Sequence, residues 1–233
     1  MMQVIYTHIN PLYDELGQLE LGEEELTVAP NVFAQIGVID TDGVRSMWRS
    51  VVLPFARPLS RLEAPPTSMA GHDDAGVVFC DLGSGVGNVC MQVLAETGCR
   101  KAVGIEVIPS RHHRATEAWM RGVRFFPAVF EGKSCVFKQE DLTTSASTLI
   151  KEGVSVVFVH SWMFDDDLMG ELTKLVASVP TVGCVITSRP LNDAILESVT
   201  RETNRRPLVQ HRLLHFSADW NDSAPFHVYT TAP

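Results

Sequence analysis

Three carboxylates close three successive apolar runs: Asp81 after Val77-Val78-Phe79-Cys80, Glu106 after Ala102-Val103-Gly104-Ile105, and Asp141 shortly after Cys135-Val136-Phe137. Behind the first of them runs Leu82-Gly83-Ser84-Gly85-Val86-Gly87-Asn88. Alternate glycines let a ligand approach the main chain where a side chain would stand in the way. A strand end, a glycine turn and a helix start together form a nucleotide-like site in an open parallel sheet. A dinucleotide fingerprint would space its glycines GxGxxG and set a pyrophosphate on the helix N-terminus. Here the spacing is GxGxG, and Asp81, two residues ahead of the first glycine, repels phosphate. That disfavours a nicotinamide-dependent dehydrogenase. The pattern suits a ligand with an ammonium group and hydroxyls but no phosphate, and S-adenosylmethionine is such a ligand. Glu106 is spaced to grip ribose hydroxyls. Asp141 either accepts from the adenine amino group, with Leu142 against the ring, or caps a helix. The expected cofactor set is Asp81, Leu82, Gly83, Ser84, Gly85, Gly87, Asn88, Glu106, Asp141 and Leu142.

The elements that must position these groups alternate from Val77 onward. VVFCDL, KAVGIEV, SCVFKQED, VSVVFVHS and TVGCVITSRPL read as strands. Between them, VGNVCMQVLAETG predicts a helix stopped at Gly98. PSRHHRATEAWMRGVRFF predicts another, with Pro109 at its first position. DDDLMGELTKLVASV starts acidic, which favours its dipole. Two further strands, within RPLVQHRLLHFS and PFHVYTT, have no helix between them and can close the sheet as an antiparallel pair. The fold class is therefore α/β, a doubly wound and mostly parallel sheet with helices on both faces.

Residues 1–76 read as a small N-terminal subdomain and 77–233 as the catalytic domain. Within the first, a helix is expected around Val44–Leu53, followed by a long Pro- and Gly-rich surface loop, FARPLSRLEAPPTSMAGHDDAG. The first 30 residues are acidic and carry no assignable pattern. They lack the basic and apolar regions of a secretory signal, and no apolar run is long enough to span a membrane.

The 233 residues carry a net charge of −9, so free nucleic acid is a poor main substrate and a basic protein an easier partner. Arg111–Arg114, Arg121 with Arg124, and Arg201–Arg206 form local basic clusters that read as solvated helix faces or loops. The five cysteines show no CxxC spacing, so free thiols in a reduced, intracellular protein are expected, with no metal site.

DLGSGVGN, GCRKAVGIEV, SVVFVHSWMF and VGCVITSRPL together resemble the disruptor-of-telomeric-silencing family. These are histone H3 lysine methyltransferases that lack a SET domain and use the seven-strand, class I methyltransferase fold. The resemblance spans about Val77–Leu191. It implies S-adenosylmethionine as cofactor, a nuclear location, and histone H3 in nucleosomes as partner. It also implies a cofactor-covering loop upstream, whose best match is Phe33-Ala34-Gln35-Ile36, adding Phe33, Gln35 and Ile36 to the cofactor set. Two positions depart from the family: His160 stands where it has an asparagine, and Gln35 where it has a glutamate. A methyltransferase with another protein or small amine as substrate, and a cofactor-binding module without catalysis, are the competing readings.

Methyl transfer to an amine needs little side-chain chemistry beyond positioning. The target lysine must arrive neutral, and an apolar channel lowers its pKa. Trp162, Phe164 and His160 follow or end the fourth strand and are the catalytic candidates. Phe158, Ser188 and Trp220 are the channel candidates, although Phe158, inside the strand, reads more readily as core. His160 can take the lysine proton, hydrogen-bond the cofactor, or be a satisfied, partly buried histidine. Asp165 or Asp166 is a neighbour able to raise its pKa.

Overall fold

The computed structural model describes residues 39–56 and 74–231. The expected cofactor-loop residues Phe33, Gln35 and Ile36 lie outside these, as does most of the Pro-rich loop.

Five parallel strands form where β-branched and apolar runs were expected: β1 Val78–Leu82, β2 Lys101–Glu106, β3 Ser134–Gln139, β4 Val156–Val159 and β5 Cys184–Thr187. The last two strands, β6 Leu208–Ala218 and β7 Asn221–Thr231, form an antiparallel hairpin. β7 pairs antiparallel with β5, giving the order β3-β2-β1-β4-β5-β7-β6. The chain therefore reverses its winding between β1 and β4. Open α/β sheets bind ligands at the carboxyl ends of the strands flanking such a point. Gly83 follows one of these strands and His160 the other.

Helices cover both faces. α1 (Thr41–Met47) runs into a π-helical turn, Trp48–Val52, within the span where a helix was expected. Asp40 caps it, its side chain accepting from Gly43 N at 2.7 Å. α1 and the helical turns that continue it to Ala56 share the core of the sheet: Met47, Val52 and Ala56 have no exposed surface. Gly43 is required by contact, because an added Cβ would lie 2.1 Å from the Ser217 carbonyl oxygen on β6. Arg45 ties α1 to α2 (Asn88–Glu96) through Glu96, at 2.9 Å.

α2 ends at Glu96 with Thr97 already extended, two residues before the expected stop at Gly98. α3 (Pro109–Phe125) begins with its proline, as the sequence predicts, and α4 (Pro127–Phe130) follows it. α6 (Asp166–Ser178) starts on Asp165, whose carboxylate accepts from Leu168 N at 2.8 Å. Two helices had no clear signal. α5 (Ala146–Glu152) is short and follows a Ser/Thr-rich stretch that favours turns. α7 (Asp193–Thr203) buries only Leu196, so its apolar stripe is too thin to stand out. Among the described residues, no helix is long and apolar enough to cross a membrane, and no group of three metal-ligating side chains occurs. The five cysteines are free thiols.

Candidate cofactor and substrate site

The loop after β1 is held by the backbone. Gly83 N and Ser84 N both donate to the Ile105 carbonyl of β2, at 2.8 and 2.9 Å, and Gly87 N donates to Ser84 O at 2.8 Å. Gly83, Gly85 and Gly87 have φ of 84°, 54° and 86°, a region that side-chain-bearing residues rarely adopt. The three are not equivalent. A Cβ added at Gly83 or Gly85 meets nothing within 4 Å, so their open side faces free space. At Gly87 it would lie 2.6 Å from the Phe137 ring, so this glycine serves packing against β3. The Ser84 hydroxyl points beneath the loop, 2.7 Å from where a Cβ on Gly104 would stand, and has no hydrogen-bond partner. Leu82 is buried in the core and offers the site only its backbone. Asn88 starts α2 with its Oδ1 buried and unpartnered.

Glu106 locks the loop to the start of α3. One carboxylate oxygen accepts from Gly85 N at 2.8 Å and the other from Ile108 N at 2.9 Å. A carboxylate has about four lone-pair sites, so each oxygen keeps capacity for a hydroxyl donor. Asp81 is buried, and that burial, with the charge of Glu106 second, pushes its carboxyl up to about 7. A cation placed here relieves the strain between the two carboxylates, whereas a phosphate would add to it. Open glycines, two buried carboxylates and spare acceptor sites fit an ammonium- and ribose-bearing ligand such as S-adenosylmethionine. Asp141 caps a 3-10 turn at Leu142–Thr144, accepting from Thr143 N and Thr143 Oγ1, both at 2.8 Å. The helix-cap alternative thus describes one of its oxygens. Leu142 is half-buried beside it.

Across the winding reversal the chemistry becomes aromatic. The His160 ring lies 6.0 Å from that of Phe226 on β7 and 6.2 Å from that of Trp220, in the β6–β7 turn. Trp220 stacks on Trp162 at 5.1 Å and 29°. Both tryptophans stay well exposed, at 40% and 46%, so the stack lies at the surface above His160. His160 Nε2 is buried without a partner. Burial lowers the His160 pKa, opposed by Asp219 and by its own backbone. In sequence, Asp165 or Asp166 stood as a neighbour able to raise it. Instead Asp165 caps α6, and Asp166 accepts from Arg189 at 2.7 Å.

The structure separates the remaining candidates from this group. Phe158 is 1% exposed and stacks on Phe226 at 5.9 Å inside the core, so it supports the site from below and lines no channel. Phe164 turns to the other face of the sheet, against the core beneath α6. Ser188 is buried, its hydroxyl 3.5 Å from that of Ser161. Sequence reasoning missed what anchors the loop. Ser161 accepts from Arg189 N at 3.1 Å, and the Arg189 guanidinium donates to the Phe164 carbonyl. Both residues lay inside quoted motifs, but nothing in the pattern pairs them.

The pattern of the family described as "Histone methylation protein DOT1" matches residues 73–222, from just before β1 through β6 to the start of β7. The chain belongs to this family. A Candida glabrata protein named "Histone-lysine N-methyltransferase, H3 lysine-79 specific" is 31% identical over 169 residues, 66% of this chain and 25% of that protein. A Caenorhabditis elegans protein of the same name is 27% identical over 137 residues, 58% of this chain and 14% of that protein. The chain thus spans a quarter or less of these relatives. Among solved structures, the methyltransferase domain of bacterial CtHen1 is 14% identical with a TM-score of 0.51, covering 80% of this chain and 99% of that one. That likeness is one of fold, and it agrees with the expected class I architecture.

Proposed function

We propose that the protein is an S-adenosylmethionine-dependent methyltransferase of a lysine in the core of histone H3, acting in the nucleus on nucleosomes. The names of the two relatives point to lysine 79. The observation that carries the reading is the pairing, across one winding reversal, of a phosphate-averse glycine cradle with an aromatic-walled histidine, inside the span that the family pattern matches.

Asp81 and Glu106 hold the cofactor's ammonium and hydroxyl groups, and the open sides of Gly83 and Gly85 admit it to the backbone. Bound there, S-adenosylmethionine supplies a methyl group already activated on sulfonium sulfur. Trp162 and Trp220 exclude water from the arriving lysine, with Phe226 supporting His160 from the core. An unperturbed lysine titrates near 10.4, and desolvation lowers that value, favouring the neutral amine that must attack. The neutral amine would form its bond to the methyl carbon as the sulfur–methyl bond breaks, the electron pair staying on the departing thioether, and the methylammonium so formed would then release a proton. His160, kept neutral by its burial, offers Nε2 to receive that proton. The geometry of transfer is otherwise a matter of positioning.

Incubation with methyl-labelled S-adenosylmethionine and either nucleosomes or free histones tests the proposal. The expected result is label on histone H3 lysine, stronger with nucleosomes. Label confined to arginine or to non-histone proteins, or none at all on folded, cofactor-bound protein, would contradict it.

A further inference from the structure

The charge of the chain is strongly segregated. Residues 109–139 contain six Lys and Arg against two Asp and Glu, leaving thirteen against twenty-six for the rest of the chain. This basic island is α3, α4 and β3, and β3 is the sheet's edge strand. The RHHR cluster is not simply a solvated face: Arg111 is buried at the start of α3. The arginines toward the far end of the helix, Arg121 and Arg124, accompany a different feature. There α3 exposes Met120 by 60%, Val123 by 38% and Phe125 by 56%. Pro127 and Ala128 extend the apolar surface onto α4, and both are exposed. Scattered exposed apolar residues need no explanation, but exposed apolar residues interleaved with arginines at one end of a helix mark an interaction surface. The Arg124 guanidinium lies 5.7 Å from the centre of the Phe125 ring, so charge and apolar surface are joined in one contact area.

We propose that the C-terminal end of α3, with α4, is a docking surface for an acidic segment of a partner protein that carries apolar anchor residues. Carboxylates on the partner meet Arg121 and Arg124, and its apolar side chains cover Met120, Val123 and Phe125. Nucleic acid is the weaker candidate. A phosphate backbone matches the arginines but offers nothing to three exposed apolar side chains. A surface built for phosphate would also gain nothing from placing Phe125 where lysine could stand. The surface is separate from the candidate active site. Glu106 stands near the other end of α3, and Met120 lies about 16 Å along the helix from Pro109. Docking here therefore adds a contact beyond the lysine channel, and its measurement does not depend on methyl transfer.

Fluorescence anisotropy tests this with three labelled probes: a short peptide of glutamates around a leucine pair, the same peptide with lysines for glutamates, and a short DNA duplex. The wild-type chain is expected to bind the acidic peptide, to lose affinity as salt rises, and to ignore the lysine peptide. F125E and the double variant R121E/R124E should each weaken binding at least tenfold, with near-unchanged thermal melting because Phe125 and Arg124 are exposed and Arg121 is partly so. The charge-reversed double variant should gain binding to the lysine peptide. Failure of the acidic peptide to bind, equal binding by F125E, or a preference for the DNA duplex would overturn the proposal. The last outcome would make the island a nucleic-acid contact instead.

Discussion

The two sides of the winding reversal solve different problems. The β1–β2 side is polar, buried and fixed by the main chain: Glu106 accepts two backbone N–H groups, and the glycine loop makes three further backbone bonds. The β4–β7 side is aromatic and partly exposed, and side chains from a distant hairpin complete it. A site that receives a small charged ligand is served by preformed acceptors, whereas one that receives a flexible lysine is served by apolar walls that strip its water. The contrast predicts that substitutions on the first side change cofactor affinity and those on the second change substrate handling.

The largest effect is expected at Gly85. Gly85→Val places a β-branched group on the open side of the cradle, at a φ that valine rarely adopts. S-adenosylmethionine binding by calorimetry should vanish, with only a modest loss of melting temperature. Gly87→Ala is its structural counterpart. There the methyl strikes Phe137, so stability should fall more than for Gly85→Val. Equal behaviour of the two variants would erase the distinction between cradle and packing glycine.

Glu106→Gln comes next. The amide keeps the volume but turns an NH2 toward Gly85 N or Ile108 N and removes a charged acceptor. Hydrogen bonds to charged groups contribute roughly 1.5–3 kcal/mol, so cofactor affinity should drop about ten- to a hundredfold. Unchanged affinity in the folded variant would remove Glu106 from the cofactor site.

On the other side, Trp220→Ala should leave cofactor affinity alone and raise the KM for histone. An aromatic pair contributes about 0.5–1.5 kcal/mol beyond its area, so a rise of about two- to twelvefold is expected. A matching loss of cofactor affinity would show that the two sides are not separate.

His160→Asn has the subtlest consequence. In the proposed mechanism the neutral imidazole takes the proton, so wild-type activity should rise with pH through the His160 pKa, which burial lowers from the ordinary histidine value. Lysine deprotonation adds a further rise at higher pH. The asparagine variant should keep cofactor binding and lose only the lower inflection. Superimposable profiles would make His160 a positioning residue with no part in proton transfer.

The same division explains what the sequence disclosed. The cofactor side was readable because its requirements are local: glycines with positive φ, carboxylates at strand ends, and a helix start within one short segment. The seven strands were readable from β-branched runs, and the closing hairpin from the missing helix between its strands. The substrate side is non-local. Trp220 and Phe226 reach His160 only because β7 pairs with β5, and no spacing in the sequence announces that Trp162 stacks on Trp220 while Phe164 turns to the opposite face. Asp219, Ser161 and Arg189 went unnoticed for the same reason. Phe158 was ambiguous in sequence, and its place in a fully buried strand resolves it as core.

The central claim, that one winding reversal joins a carboxylate-lined cofactor cradle to an aromatic lysine channel, is tested most directly by a crystal structure with S-adenosylhomocysteine. The account predicts density over Gly83 and Gly85, with ribose hydroxyls within hydrogen-bond reach of Glu106 and the amino group on the side of Asp81. It also predicts that the sulfur faces His160. Density elsewhere on the sheet, or ribose hydroxyls held by groups other than Glu106, would contradict it.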